Sequence, residues 1–303
     1  MLYRLRRDIK AFNFNRRIRR ITKTRPIRIV DGPLTICSMV GNDHVLMYIL
    51  GMKSFYSRLK RGKLKAIFAH TMPPALRDLL REHFDGIELV PLESLPTGAC
   101  QRGGTWERLV HLLDISRDEF AIQVDADILA CGTDISEVAA CVEENRSFTY
   151  SDLWPFPRIT TLRRIAEEGR KMDTGHITIA AETFFDRLPD CDTVKYIRGS
   201  SGFAGFAKGG FERSRLEEFH TRMDEMMGAR WREWGSEQVG SNYAVANSPN
   251  PVVLPHPQYR TFSPDDSPEW QHKAKFLHFI GTTRFANGYF ASKGIELMRD
   301  FAA

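Results

Sequence analysis

From Leu34 to Glu144 the chain alternates short apolar runs with segments of helical spacing, and this order restricts the fold more than any other feature. Leu34 to Val40 reads as a strand ending in Gly41-Asn42, and the apolar positions from Val45 to Leu59 form a helix. Leu64 to Ala69 is a second strand, stopped at Pro73-Pro74, followed by a helix from Ala75 to Phe84 and a third strand from Ile87 to Val90. Trp106 to Leu113 is helical, Phe120 to Val124 is a fourth strand, and Ile135 to Glu144 is again helical. This order predicts an α/β fold with a mostly parallel, Rossmann-like sheet and helices on both faces. Such sheets bind ligands beyond the carboxyl ends of their strands.

The second half is less regular. Phe148 to Tyr150 and His176 to Ala180 read as strands, Tyr196 to Phe211 as a glycine-punctuated strand pair or loop, and Arg213 to Met227 as a helix. Short apolar runs follow around Pro251 to Pro255 and Phe276 to Ile280. With 303 residues, 42% of them apolar, the chain can bury a sizeable core. Neither a repeat nor a low-complexity linker divides residues 31–303, so one catalytic domain is expected there, preceded by an extension over residues 1–30.

That extension holds eleven Lys or Arg against the single acid Asp8, a net +10, which leaves −5 for the rest of a chain whose total is +5. Leu2, Leu5, Ile9 and Phe12 fall on one helical face among the arginines. A basic amphipathic helix of this kind suits an anionic membrane surface, where each Lys or Arg is worth about 1 kcal/mol. A helix docked on the domain, or a disordered arm, accounts for the same pattern. The longest nearly continuous apolar stretch, Val45 to Met52, is far short of the roughly 20 residues that span a bilayer. The N-terminus lacks the apolar core of a signal peptide. A cytoplasmic protein is expected, with peripheral attachment to the membrane as the role of residues 1–28. The five cysteines contain no Cys-x-x-Cys pair and read as reduced, mostly buried thiols.

The sequence lacks G-x-G-x-x-G and G-x-x-x-x-G-K-[ST], so the dinucleotide and P-loop fingerprints are missing. What carries chemistry is Val124-Asp125-Ala126-Asp127-Ile128, where an apolar strand delivers two carboxylates at its carboxyl end. Residues two apart in extended backbone point to one face, so both carboxylates can hold one hard cation. Mn²⁺ or Mg²⁺ is commonly bound by one or two carboxylates, with phosphate oxygens and water completing the shell. A strand-end turn with two solvated acids is the plainer alternative.

This run, with the helix carrying Arg108 before it and His278-Phe279-Ile280-Gly281-Thr282-Thr283-Arg284 far downstream, resembles the GT-A glycosyltransferases, nearest to family 8, the glycogenin-like and bacterial cell-surface sugar transferases. The resemblance covers roughly residues 33–290. It implies that Asp125, Asp127 and His278 hold Mn²⁺ (or Mg²⁺) and that Gly281 and Arg284 contact the diphosphate, Arg284 standing where the family has Lys. It implies that Arg108 lies near the donor sugar and diphosphate. Ser201 and Gly202, in Gly199 to Gly205, occupy the place of a segment lining the sugar pocket, with Ser200 replacing the family's Asn. Ser38, Val40 and Asn42 sit where such enzymes hold the base and ribose. Glu237, in Trp234-Gly235-Ser236-Glu237-Gln238, falls in the acceptor and sugar region, and an acid at the start of a helix after Ser236 accounts for it equally.

The expectation is thus a metal-dependent transferase that moves a sugar from a nucleotide diphosphate sugar, UDP-sugars favoured, to a hydroxyl of a glycan or lipid-linked acceptor in cell-surface glycan synthesis. The family 8 resemblance implies retention, whereas an inverting route needs a carboxylate base near the acceptor hydroxyl, for which Glu237 is the candidate. A nucleotidyltransferase is the enzymatic rival, but Cys37 to Asp43 lacks the Lys or Arg of a phosphate loop. A nucleic-acid binding protein would use the basic arm, yet the domain behind it is net acidic, and nucleic acid is not an expected partner.

Overall fold

Parity along the strands decides which helix packs where. In the computed structural model, which describes residues 2–152, 158–172 and 175–301 (the side chains of residues 2–7 and 282 apart), every residue of Phe120–Val124 and all but Met39 of Leu34–Met39 are buried. Leu34, Ile36, Phe120, Ile122 and Val124 join the apolar cluster that contains the helix Val45–Leu59. Cys37, Ile67 and Ala121, pointing the opposite way, join a second cluster with the helix Trp106–Ser116. Burial on both faces is what a parallel sheet between helices requires.

Seven strands make this sheet, in the order Val252–Val253, Phe148–Thr149, Phe203–Phe206, Phe120–Val124, Leu34–Met39, Lys63–Phe68 and Glu88–Pro91. Leu34–Met39 runs parallel to both Lys63–Phe68 and Phe120–Val124, while Phe203–Phe206 is antiparallel to Phe120–Val124. The chain thus leaves its first long strand toward one edge and returns on the other side of it. Such a switch point opens a crevice at the carboxyl ends of the two strands. A smaller sheet pairs Ile128–Ala130 with Phe276–His278, and the latter with Tyr259–Thr261.

The segment expected as a strand at His176 to Ala180 is instead part of a helix, Ile177–Glu182. Ile177, Ala180 and Ala181 are buried at helical spacing, and the His176 side chain accepts from the Thr178 N–H at the helix start. Helices over Leu162–Gly169 and Tyr289–Leu297 have no counterpart in the sequence reading, while Ser236–Ala246 places Glu237 in a helical first turn, the structural alternative for that acid.

At the N-terminus one helix spans Leu2–Ile18. The outer part of its proposed apolar face, Leu2 and Leu5, lies outside the described side chains, while Ile9 and Phe12 are exposed. From Phe14 onward the helix is joined to the domain. Phe14, Ile18 and Ile21 are buried in the main core, with the Phe14 ring 4.6 Å from that of Phe290. Lys53, fully buried, donates to Thr24 Oγ1 at 2.8 Å and to the Arg25 carbonyl. Among the described residues, no helix is long and apolar enough to cross a membrane.

Candidate active site

The strand Phe120–Val124 ends at the crevice, and the next residue, Asp125, donates its N–H to the Gly202 carbonyl at 2.8 Å. The chain turns at Ala126 and Asp127 and leaves as Ile128–Ala130, whose pairing sets Ile128 opposite His278. The Phe279 N–H donates to the Asp127 carbonyl at 2.7 Å, locking that register. His278 Nε2 consequently lies 3.2 Å from Asp127 Oδ1 and 3.5 Å from Asp125 Oδ2. Two glycines permit this approach. A Cβ on Gly202 would lie 2.0 Å from His278 Cε1, and one on Gly51 would lie 2.7 Å from the Ile128 carbonyl oxygen.

Asp125, Asp127 and His278 each offer a ligand atom, all within 4.8 Å of one another. Two carboxylates and an imidazole are donors that fit Mn²⁺ or Mg²⁺. The second ring nitrogen, His278 Nδ1, is 2.9 Å from Tyr150 Oη, which is 3.0 Å from Thr261 Oγ1. Thr261 in turn donates from its hydroxyl (2.6 Å) and its N–H (2.8 Å) to the Asp152 carboxylate. Partners of this kind on the far nitrogen fix the orientation of a ligating imidazole.

Cations balance the acids. Arg108, buried on the helix Trp106–Ser116, donates to Asp125 Oδ1 and approaches Glu237 Oε1 to 4.0 Å. Arg284 donates to Asp127 Oδ2 at 2.6 Å and to the Phe279 carbonyl at 3.0 Å. Burial would raise the Asp125 carboxyl, but Arg108 and His278 hold it well below the usual carboxylate range. Burial does raise Glu237 above its ordinary value, against the opposing influence of Arg108 and Gln123. Its carboxylate accepts from Gln123 Nε2 at 3.0 Å and Thr105 Oγ1 at 3.1 Å. Burial also disfavours a charged His278, yet Tyr150 and Asp127 carry its pKa well above the ordinary imidazole value.

Two cavities meet at this cluster and share Thr105, Arg108, Asp125, Asp127 and Arg284. The larger, about 370 Å³, is also lined by Ser201, Gly202, Glu237, Gln238, His278 and Gly281. The smaller, about 150 Å³, is completed by Met39, His44, Met47 and Ala126. The structure therefore brings Arg108, Asp125, Asp127, Ser201, Gly202, Glu237, His278, Gly281 and Arg284 to one place. It does not bring Ser38, Val40 or Asn42 there. Ser38 and Val40 are buried and line neither cavity, and the exposed Asn42 donates to the Thr71 carbonyl at 3.3 Å. Met39, between the first two, faces the smaller cavity because side chains alternate along the strand.

Sequence reasoning missed Gln123, Tyr150, Asp152 and Thr261. Gln123 carried a legible signal, a lone amide in a strand that is otherwise apolar. The other three come from segments far apart in sequence, Tyr150 and Asp152 just beyond the strand Phe148–Thr149 and Thr261 at the end of Tyr259–Thr261.

No protein-family profile matches the sequence, and no curated protein is similar enough to count as a match. Solved structures do resemble it. The bifunctional glycosyltransferase WbbM superposes with a TM-score of 0.50 at 13% identity, covering 90% of this chain and 50% of that one. The chain thus spans half the length of that protein. The galactosyltransferase LgtC, solved with donor and acceptor sugar analogs, gives a TM-score of 0.47 at 10% identity, over 89% of this chain and 96% of that one. Mouse xyloside xylosyltransferase 1 gives 0.43 at 11% identity, over 85% and 99%. The fold is that of the GT-A glycosyltransferases.

Proposed function

We propose that the chain is a metal-dependent glycosyltransferase, of the family 8 kind, that moves a sugar from a nucleotide diphosphate sugar to an acceptor hydroxyl. The observation that carries this reading is the convergence of Asp125, Asp127 and His278 between two cavities at the switch point of a GT-A sheet. A divalent ion held by these three, Mn²⁺ or Mg²⁺, would offset charge on the departing diphosphate as a Lewis acid. Arg284, already fixed on Asp127, adds a second positive contact for the same oxygens, and preorganised charge of this sort is usually the largest contribution to such barriers. The smaller cavity beside Met39 suits the nucleoside of a UDP-sugar, and the larger suits the sugar, with Ser201 and Gly202 along its wall. Glu237 is assigned to the reacting centre, as the buried carboxylate that faces the acceptor hydroxyl while Arg108, Gln123 and Thr105 hold it in place. Incubation with UDP-, GDP- and CDP-sugars and Mn²⁺, reading nucleotide diphosphate release, tests this directly.

The acceptor is assigned to a glycan or lipid-linked glycan made for the cell surface, with residues 1–28 resting on an anionic membrane. Supporting this, Phe14 and Ile18 tie the helix Leu2–Ile18 to the domain while Ile9 and Phe12 remain 51% and 68% exposed on a helix that also carries the exposed Arg16. Sedimentation with phosphatidylglycerol vesicles should fall on substituting Ile9 and Phe12 by Ser. Equal sedimentation of wild type and variant would remove the membrane from the account.

A further inference from the structure

Among the described residues, six large apolar side chains are exposed, and three of these, Met172, Trp234 and Ile280, line the larger cavity. Trp234 stands out at 76% exposure. Exposed apolar side chains gathered on one concavity mark a binding surface, unlike the same residues scattered singly.

The indole is presented by a tight, internally braced turn. Gly235 adopts φ +104, a conformation favoured by glycine, and a Cβ there would lie 3.0 Å from Ile177. The Ser236 N–H donates back to the Glu233 carbonyl at 3.3 Å, and Ser236 Oγ accepts from the buried Trp106 indole at 3.0 Å. The helix Ser236–Ala246 begins at once, and its first turn sends Glu237 and Gln238 into the same cavity. One short segment thus carries the inward carboxylate assigned to the acceptor hydroxyl and, three residues earlier, an outward aromatic face.

We infer that Trp234 is the platform of an acceptor subsite, on which a pyranose ring stacks by its C–H face with one hydroxyl directed toward Glu237. This rests on the glycosyltransferase reading and names what its second substrate must present. Trp234 belongs to the larger cavity and not to the smaller one beyond Asp125 and Asp127, so a sugar rather than the nucleobase falls to it. An indole suits this task because its π face is broad and weakly negative, while the C–H face of a pyranose is apolar and weakly positive.

The test is saturation-transfer NMR on the full chain with Mg²⁺, one of UDP, GDP or CDP, and methyl glycosides of β-galactose, β-glucose and α-mannose. With wild type, transfer to ring C–H protons of at least one glycoside is expected. Trp234→Ala should raise the glycoside Kd at least about tenfold, the factor to which about 1.4 kcal/mol of lost contact corresponds, and Trp234→Phe should keep most of the binding. Nucleotide signals from the same samples report on the fold of each variant and separately on the proposed function. If no nucleotide binds, the glycosyltransferase reading fails, whatever the glycosides do. If nucleotide binds but no glycoside gives ring signals, or Trp234→Ala binds them as wild type does, the platform is wrong.

Discussion

His278 Nε2 lies 3.2 Å from Asp127 Oδ1 across 151 positions of sequence, because the strand Phe276–His278 pairs with Ile128–Ala130 in a register that sets His278 opposite Ile128. A one-residue slip would turn the imidazole to the other face of that small sheet. The proposed metal site is thus a consequence of strand pairing and of the space that neighbouring backbone leaves for the ring.

Gly202 supplies that space. A methyl group there would lie 2.0 Å from His278 Cε1 and 2.4 Å from Nδ1, so the ring must move away from the two carboxylates. Gly202→Ala is expected to weaken Mn²⁺ binding by about tenfold or more, the cost typical of a disturbed ligand shell. Electron paramagnetic resonance of free Mn²⁺ measures it, and wild-type affinity in the variant would show that His278 is not a ligand.

Tyr150 acts on the other side of the same ring. Its hydroxyl, 2.9 Å from His278 Nδ1, is held by Thr261, which is held in turn by Asp152. Tyr150→Phe keeps the aromatic packing and removes this partner. Mn²⁺ affinity should fall by about 10- to 100-fold, with a stability loss of only about 1 kcal/mol in chemical denaturation.

Lys53 joins the basic N-terminal segment to the core, and among the described residues its hydrogen-bond partners are Thr24 Oγ1 and the Arg25 carbonyl, neither of them an acid. Burial lowers its pKa from 10.5 to about 8. Between these values the unfolded chain holds a proton on Lys53 that the folded chain has released, so this group makes stability rise as pH increases through that window. Lys53→Met should lack the rise. Urea midpoints at pH 8 and pH 10 for both proteins test the point, and equal shifts in the two would contradict it.

The parts of this architecture visible in sequence are those written by local pattern. The alternation from Leu34 to Glu144 indicates the parallel sheet, and Asp125 and Asp127 are conspicuous because five buried residues precede them. His278 is different. In sequence it is a histidine in an apolar run, singled out only by the resemblance, and its placement depends on pairing with a strand of three residues, too short to announce itself. Of the helix Ser236–Ala246 only the start is legible, at Ser236 and Glu237. Its buried face is made largely of small residues, including Gly240, whose Cβ would lie 2.9 Å from Trp106, so hydrophobic periodicity is faint. At the end of the first long strand, Ser38 and Val40 are buried away from the smaller cavity, and Met39 between them faces it.

The central claim is that Asp125, Asp127 and His278 form the metal site of a nucleotide-sugar transferase, and nucleotide diphosphate release across a panel of UDP-, GDP- and CDP-sugars tests it most directly. The wild-type protein should turn over at least one donor with Mn²⁺ and lose that activity with EDTA. Asp127→Ala and His278→Ala should each lower the rate by about 100-fold or more, the scale on which removal of a preorganised charge-stabilising group acts. Failure of the wild-type protein to release nucleotide diphosphate from any donor, or full metal-dependent activity in both variants, would contradict it.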